Sequence, residues 1–374
     1  MPDERVAAAI AHWAPRFVAN GVDFNDFQRV TAGVETWEEW LPAWVANGDM
    51  HAEIACEAEN RGRSRTAGEA WNRAALSYHF GKFVWMLDLD RYREATGLAV
   101  EALRNAHRHL DPSAEHIAIP YGGGTMAANL RWPARRASAD RGKASGETGR
   151  VPQLDEDRPP PLVLLLPGLD STKEEFLAWE DVFLARGIAT LSLDGPGQGE
   201  TGLSTQIEPA YEKAVSAALD FIDRRQDLDL DLGRVGAAGV SLGGYYAPRA
   251  AAYEKRLRAV VGISGPFDFG ACWDTMPQPT RETVMHHTGA TSEEEGRAKA
   301  SELNLYDAAA LIDQPFLAIT GRHDRLIPWE QTRRQADEAP NGEFVLFEDG
   351  NHVCNNIPYR YRPLAADWLR EKLG

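Results

Sequence analysis

The sequence has few cysteines, no long apolar run and a shortage of positive charge. Its 374 residues include three cysteines, Cys56, Cys272 and Cys354, too widely spaced to indicate a disulfide framework or a zinc cage. The longest apolar run, 161–167, is far shorter than the ~20 residues of a membrane-spanning helix. The 56 acidic residues outnumber the 40 basic ones, and the net charge of −16 opposes binding to nucleic acid or an anionic membrane. Because the chain also starts without a secretory signal, we predict a cytoplasmic protein with neither partner.

Tryptophan, by contrast, is plentiful near the start of the chain. Six of the eleven tryptophans lie in the first hundred residues: Trp13, Trp37, Trp40, Trp44, Trp71 and Trp85. Apolar residues recur there every three or four positions, which predicts an all-helical domain over 1–115. Thr66, with Glu69 three residues later, is a candidate N-cap and capping box for one of these helices. The tryptophans between 37 and 44 share helical spacing, which favours a packing role over ligand binding.

The pattern changes at residue 116 to that of an α/β domain, which we predict over 116–374. A hairpin is predicted around 122–124, and from residue 161 strand-like runs alternate with helical ones. This alternation indicates a mainly parallel sheet with helices on both faces and ligand sites beyond the carboxyl ends of the strands. Charge, glycine and proline at 134–161 predict a flexible loop, and a second interruption at 265–311 is a candidate cap over the site.

The sharpest motif is GVSLG at 239–243, which follows an apolar strand and precedes a helical run. A G-x-S-x-G sequence in that context forms a tight turn that exposes the serine oxygen, and the glycines let the turn close. The bare motif is also consistent with a serine that only caps a helix. Ser241 is therefore a candidate nucleophile if the chain supplies a base and an orienting carboxylate.

Both partners are predicted at later strand ends. Asp324 follows the strand-like QPFLAIT, and His352 follows EFVLFED. The order serine, aspartate, histidine is that of α/β hydrolases, so we predict a catalytic triad of Ser241, Asp324 and His352. His323 is a rival base, but sequence neighbours on a loop cannot readily face one another across a hydrogen bond. Asp194 is a rival acid at a strand end, but it precedes the serine, and we assign it a structural role.

An oxyanion hole requires two backbone amides beside the serine. One belongs to the residue after the nucleophile, Leu242, and the other comes from the loop after the first central strand. That loop is PGLDS at 167–171, in which we predict the amide of Leu169. The turn LDGPGQGE at 193–200 lacks the lysine of a P-loop and the dinucleotide fingerprint, so no nucleotide cofactor is predicted.

Beyond these motifs, the chain resembles the α/β-hydrolase family that includes 2,6-dihydroxypseudooxynicotine hydrolase and fungal hydrolases that shorten polyketides. The resemblance spans most of the chain and rests on GVDFNDF, TAGEAWNRAALSYHFGKF, PGLDSTKEEF, LDGPGQGE, GVSLGGYYA, GRHDRLIP and GNHVCNN. It implies an α/β-hydrolase fold with an N-terminal helical region and carbon–carbon bond hydrolysis as the activity. The family's triad carries over to Ser241, Asp324 and His352.

The resemblance also implies a further carboxylate near the substrate, for which Asp268 and Asp274 are alternative candidates. It makes Tyr78 and His79 candidates for substrate binding, although such a stripe is more often packing. Trp273, in the predicted cap, is another candidate. Together with the tryptophan-rich helices, these residues predict a buried pocket for a flat aromatic substrate.

We predict a serine-type hydrolase that attacks a carbonyl and uses no cofactor and no metal; His286 and His287 lack the further ligands that a metal site needs. The favoured reaction is hydrolysis of a carbon–carbon bond in an aryl ketone or β-dicarbonyl compound, in the breakdown of aromatic compounds, and this preference rests on the resemblance. The alternative enzyme is a carboxylesterase or lactonase. The alternative of another class is a hydrolase-like protein that only binds a small ligand. The sequence leaves open whether the chain forms a homodimer.

Overall fold

The computed structural model describes residues 3–134 and 158–374, so most of the predicted loop at 134–161 lies outside the described residues. The described helices are α1 (Glu4–Asn20), α2 (Phe24–Ala32), α3 (Trp37–Asn60), α4 (Ser64–Lys82), α5 (Leu89–Leu110), α6 (Leu177–Leu184), α7 (Glu212–Arg224), α8 (Gly243–Tyr253), α9 (Gln278–Thr288), α10 (Glu293–Ser301), α11 (Trp329–Glu338) and α12 (Pro358–Leu373). The described strands are β1 (Glu115–Tyr121), β2 (Gly124–Arg131), β3 (Pro161–Leu166), β4 (Ala189–Asp194), β5 (Asp231–Val240), β6 (Leu257–Ile263), β7 (Phe316–Gly321) and β8 (Gly342–Phe347).

The sheet has the order β1-β2-β4-β3-β5-β6-β7-β8. The hairpin of β1 and β2 joins β4 antiparallel, and the remaining neighbours pair parallel. Strands β3, β4 and β7 are buried along their whole length, as expected for a parallel sheet with helices on both faces. The predicted α/β class and mainly parallel sheet are confirmed, and the carboxyl ends of β3 and β5–β8 meet along one edge.

Alternate residues of β3 point into two different apolar cores. Leu164 belongs to a core that also contains α7, α8 and the helical region, while Val163 faces a second core with α6 and α12. The first core continues from the sheet to Phe17 and Trp44 without a break. The two parts of the chain, 1–115 and 116–374, thus share one apolar core. Their division into separate domains remains a prediction.

Aromatic side chains hold α1, α3 and α4 together. Trp37, Trp40 and Trp44 are each at most 1% exposed, so their helical spacing does mark a packed face. The ring of Phe17 in α1 stacks on that of Phe80 in α4 at 4.0 Å between centroids. These helices form a layer that reaches the edge of the sheet where the strands end.

The predicted capping box lies at the wrong threonine. Helix α4 begins at Ser64, which places Thr66 inside its first turn, and Glu69 pairs with Arg65 instead of capping the helix. The capping box of this region is at the start of α3, where the Glu39 carboxylate accepts the backbone N–H of Thr36 at 3.1 Å. A threonine followed by Glu three residues later identifies a helix start only if the preceding residues are not themselves helical.

The predicted cap at 265–311 contains α9 and α10, and its Thr275 hydroxyl donates to Leu326 O in the loop after β7 at 3.0 Å. It contacts the helical layer through an ion pair between Arg5 of α1 and Glu282 of α9 at 3.1 Å. Helices from both ends of the chain therefore surround the carboxyl end of the sheet.

Replacing Phe17 by alanine is expected to lower the free energy of unfolding by about 3–5 kcal/mol, because it removes a fully buried ring and leaves a cavity between α1 and α4. The neighbouring Val18, 43% exposed, provides the control, and Val18→Ala is expected to change stability by no more than about 0.5 kcal/mol. Urea denaturation measures both. Equal effects of the two substitutions would contradict this packing.

Candidate active site

The turn between β5 and α8 places Ser241 in a conformation that few serines adopt. Its φ is +56°, in the left-handed region. The glycines on either side are required, since a Cβ on Gly239 would lie 1.9 Å from the Gly243 carbonyl oxygen, and one on Gly243 would lie 2.1 Å from that of Leu166. The motif thus forms the sharp strand-to-helix turn that it predicts and projects the serine side chain beyond the sheet.

Ser241, His352 and Asp324 form a continuous hydrogen-bonded chain. Ser241 Oγ lies 3.0 Å from His352 Nε2, and His352 Nδ1 lies 2.8 Å from Asp324 Oδ2. The Asp324 side chain is fully buried and that of His352 is 5% exposed, so little water competes for these bonds. The three residues singled out in the sequence are brought together by the ends of β5, β7 and β8.

Backbone contacts fix the position of the Asp324 carboxylate. Its Oδ1 accepts the amides of Leu326 and Ile327 at 3.0 and 2.9 Å, which leaves Oδ2 directed at the histidine. These two hydrogen bonds prevent the carboxylate from turning away from the ring. Asp324 can therefore hold the imidazole in the tautomer whose Nε2 is free to accept the serine proton.

The loop after β8 orients His352. The next residue, Val353, has a φ of +57° and donates its amide to Ser264 Oγ at 3.0 Å. The loop also passes very close to the end of β7, because a Cβ on Gly321 would lie 2.3 Å from the Gly350 carbonyl carbon. This tight packing brings the histidine loop against the aspartate loop.

The two rivals lie elsewhere. The backbone of His323 donates to Gly350 O at 2.8 Å, and its side chain is exposed. Asp194 is buried and accepts Lys173 Nζ at 2.9 Å and the Lys173 amide at the same distance. Asp194 therefore holds the segment after β3, which agrees with the structural role predicted for it.

The loop after β3 lies directly against the serine. A Cβ on Gly168 would lie 3.0 Å from Ser241 Cβ, and Gln198 Nε2 fixes the loop by donating to the carbonyl oxygens of Pro167 and Gly168, both at 2.7 Å. Within the described residues, neither the Leu169 amide nor the Leu242 amide is engaged in a hydrogen bond. Both predicted oxyanion donors are thus available beside Ser241, and their role remains a prediction.

A buried ion cluster ties α1 to this loop. Arg16 Nη2 lies 2.9 Å from Glu175 Oε1, and Arg16 Nη1 lies 3.1 Å from Asp170 Oδ1. Burial opposes ionisation of Glu175, but the Arg16 guanidinium, together with His79 and the Ser171 hydroxyl, outweighs burial and lowers the pKa of Glu175 to about 2. Glu175 also accepts the Ser171 hydroxyl. The cluster therefore fixes the segment that carries Leu169, through contacts with α1.

His79 belongs to this cluster and not to the space beside Ser241. It is fully buried, with Nε2 3.1 Å from Glu175 Oε2 and Nδ1 3.1 Å from Thr172 Oγ1. Burial lowers the pKa of His79. Its contacts support a positioning role behind the loop, not the predicted contact with substrate.

The predicted roles of Tyr78 and Trp273 in substrate binding find no support in their contacts. Tyr78 packs between α3 and α4: its hydroxyl donates to Asp49 at 2.8 Å, and its ring would lie 2.4 Å from a Cβ on Gly48. Trp273 packs inside the cap, where its ring occupies the space that a side chain at Gly296 would need. Both are large apolar groups that stabilise helix contacts.

The two candidate carboxylates make their contacts within the cap. Asp268 accepts the hydroxyl of Tyr306 at 3.0 Å and the amide of Ala271 at 3.2 Å, so it stabilises the start of the cap. Asp274 is exposed and pairs with Arg297 of α10. These contacts give neither carboxylate a role beside Ser241, and the choice between Asp268 and Asp274 remains a prediction.

Sequence reasoning missed Arg16 and the part that Trp13 plays. Trp13 lies edge-on to the imidazole of His352, at 6.2 Å between ring centroids. The available signal was the buried stripe of α1, in which Arg16 lies beside Trp13 and Phe17 and not on the polar face. A cation within an apolar stripe requires a buried anion, but the sequence does not show which one.

Residues 163–365 match the model of the α/β hydrolase family. The chain is also 30% identical over 361 residues to 2,6-dihydropseudooxynicotine hydrolase from Paenarthrobacter nicotinovorans, across 96% of this chain and 91% of that protein. The chain belongs to the α/β-hydrolase family. It is therefore a hydrolase, and the family resemblance predicted from its motifs is confirmed.

Two further proteins match this α/β hydrolase over nearly its whole length. It is 29% identical over 362 residues to the alpha/beta hydrolase xenA from Xenoacremonium sinensis, across 91% of this chain and 76% of that protein. The crystal structure of the 2,6-dihydroxy-pseudo-oxynicotine hydrolase matches with a TM-score of 0.82 and 29% identity, across 97% of this chain and 96% of that one. The helical layer thus belongs to the shared architecture, which confirms the predicted helical region. Among residues 3–134 and 158–374, no helix has the length and apolarity to cross a membrane.

Gly239→Ala is expected to destabilise this α/β hydrolase by more than about 1 kcal/mol and to abolish activity, because the added methyl group collides with the turn that carries Ser241. Gly97 in α5 is the matched control, since a Cβ there meets nothing within 4 Å. Gly97→Ala is expected to stabilise the protein by about 0.5–1 kcal/mol and to leave activity unchanged. Thermal unfolding and turnover test both, and an active Gly239→Ala enzyme would contradict the proposed turn.

Arg16→Met is expected to lower the free energy of unfolding by about 3–5 kcal/mol at pH 7, because it leaves a buried carboxylate without its cation. The loss should shrink as the pH falls from 7 to 3. The low pKa of Glu175 means that its ionic contribution is present above its ordinary value of 4.5 and is lost toward pH 2.

Arg93→Met provides the control, since the ion pair of Arg93 with Asp90 is exposed and is worth at most about 1 kcal/mol. Urea denaturation at several pH values measures both variants. A loss for Arg16→Met that does not depend on pH would show that the Glu175 pairing is not its cause.

Proposed function

We propose that this chain is a serine hydrolase in which Ser241 Oγ attacks the carbonyl carbon of its substrate. The observation that supports this role is the hydrogen-bonded path from Asp324 through His352 to Ser241, with separations of 2.8 and 3.0 Å. His352 Nε2 takes the serine proton as the new carbon–oxygen bond forms. Asp324 stabilises the resulting imidazolium and keeps the ring in place.

The negative charge that develops on the carbonyl oxygen would be held by the amides of Leu169 and Leu242. Both amides adjoin Ser241, and Gln198 and Asp170 hold the loop that carries Leu169. Donors that are fixed before the reaction stabilise the oxyanion without a cost of reorganisation. The buried ion cluster thus contributes to the reaction through the position of the loop.

We propose that the bond broken is a carbon–carbon bond of an aryl ketone or β-dicarbonyl compound. When that bond breaks, the acyl carbon stays bound to Ser241 Oγ and the electron pair leaves with the departing carbon, which takes the proton held by His352. Such a leaving group needs a ring or a second carbonyl to delocalise the charge. Water then hydrolyses the acyl-serine with His352 again as base. The preference over an ester rests on the resemblance to the family of 2,6-dihydroxypseudooxynicotine hydrolase.

An aromatic substrate, a cytoplasmic location and a homodimer complete the proposal. The substrate class is supported by Trp13, whose ring stands against both His352 and Phe83. The location is supported by the cysteines, which are free thiols in the described structure, as is typical of reducing compartments. Sedimentation velocity would test the homodimer.

Native protein is expected to react with a fluorophosphonate probe, and Ser241→Ala to lose this labelling completely. His352→Gln should slow labelling at least about a hundredfold, because the serine loses its base. The control is Ser113→Ala, at an exposed serine, which should label as the native protein does. A native protein that does not label would favour the alternative of a hydrolase-like binding protein.

The ratio of kcat/KM for 1-phenyl-1,3-butanedione to that for 4-nitrophenyl acetate separates carbon–carbon hydrolysis from the carboxylesterase or lactonase alternative. We expect the diketone to be favoured at least tenfold, which corresponds to about 1.4 kcal/mol of transition-state stabilisation. Product masses confirm which bond was broken. A ratio below one would assign the protein to the ester hydrolases.

A further inference from the structure

One cavity beside Ser241 is too small for a substrate. It is lined by Ser241, His352 and Arg16 and has a volume of about 20 Å³, enough for one water molecule. An organic substrate needs a larger space than this cavity provides.

A second cavity, of about 310 Å³, lies between α1, the start of the cap and the loop that carries Asp324. Its lining includes His12, Trp13, Thr280, Arg325 and Leu326. This volume is at the lower end of the range for small-molecule sites. Trp13 lines the cavity and also lies edge-on to the His352 ring, at 6.2 Å between ring centroids, so the cavity is next to the residue that contacts the imidazole.

The position of the cavity indicates which part of a substrate it receives. Its lining includes Arg325 and Leu326 of the Asp324 loop and Trp13, which neighbours His352, and it contains no residue of the loop at 167–171 that would bind the oxyanion. The leaving group takes its proton from the histidine, so it departs on the histidine side of the serine. The leaving group therefore extends toward this cavity.

The charged groups of the cavity lining are two arginines. The lining contains Arg5 and Arg325 but no carboxylate, in a chain whose net charge is −16. Glu282 pairs with Arg5, whereas Arg325 forms no ion pair within the described residues. Arg325 is thus the cation available to a ligand.

The inner end of the cavity carries an unused polar atom. His12 Nε2 is buried and has no hydrogen-bond partner among the described residues. Burial and the neighbouring His352 lower the pKa of His12 to about 4, so its ring is neutral at pH 7. His12 Nε2 is thus free to hydrogen-bond to a group that enters the cavity. The apolar walls beside it, which include Trp13 and Trp37, suit a flat ring.

We propose that this cavity is the leaving-group site, and that it selects a flat leaving group with an anionic substituent, which Arg325 binds. The proposal rests on the proposed serine-hydrolase function for the identity of the leaving group. It assigns Arg325 as the specificity-determining residue and His12 as a hydrogen-bonding partner within the cavity.

Binding of two matched probes to the Ser241→Ala protein tests this site without requiring turnover. The probes are 2-naphthoate and its neutral isostere 2-naphthamide, and isothermal titration calorimetry gives both dissociation constants. We expect 2-naphthoate to bind about tenfold more tightly than 2-naphthamide. Arg325→Gln, introduced into the same background, should remove this difference and leave the amide affinity unchanged.

Two further variants locate the site. Arg322→Gln, which removes an exposed arginine paired with Glu348 outside the cavity, should leave both affinities unchanged. Ala8→Trp, at an exposed position on the cavity rim, should weaken both probes at least tenfold. Equal affinity for the two probes, no binding of either, or unchanged binding in Ala8→Trp would overturn the proposal. A protein that binds 2-naphthoate as expected but fails to label with fluorophosphonate would keep the site and lose the hydrolase mechanism.

Discussion

The site depends on a backbone turn that only this local sequence permits. At Ser241 the chain leaves β5 and enters α8 through a left-handed residue, and the glycines at 239 and 243 leave room for backbone atoms that a methyl group would displace. A left-handed serine is strained by roughly 1–2 kcal/mol, and the surrounding sheet has to hold it. Because the turn is rigid, the hydroxyl meets the imidazole of His352 at a fixed distance. The same turn fixes the amide of Leu242, which is the next residue in the chain.

The helical layer takes part in the site as well as covering it. Arg16 reaches from α1 to Asp170 and Glu175, which flank the predicted oxyanion loop, while Trp13 on the same helix stands against His352. One helix thus touches both sides of the serine. Burying so many charges is expensive unless each is paired, and the pairing constrains the loop geometry more tightly than apolar contacts would.

The sequence was sufficient for the features that local rules control. The strand and helix rhythm, the glycine turn and the three strand-end residues Ser241, Asp324 and His352 follow from short patterns whose physical meaning does not depend on distant residues. The capping box was misplaced because Thr66 satisfies the same pattern as Thr36, and only the residues before it decide where the helix starts.

The remaining features depend on contacts between distant segments. Arg16 and Glu175 are 159 positions apart, and no periodicity links an arginine in one helix to an acid in a loop. Tyr78 and Trp273 illustrate the opposite difficulty: an aromatic residue in a helix or cap looks the same in sequence whether it lines a pocket or packs against a glycine. Which face of α4 meets the loop after β3 is decided by tertiary packing.

The central claim is that Ser241, His352 and Asp324 act as one unit, and additivity of their losses tests it most directly. The kcat/KM values of the three single alanine variants are compared with that of the triple variant. The account predicts that the triple variant loses about as much activity as Ser241→Ala or His352→Ala alone, since removing one member disables the others. Losses that multiply across the three positions would contradict it, because they would show that the residues contribute independently.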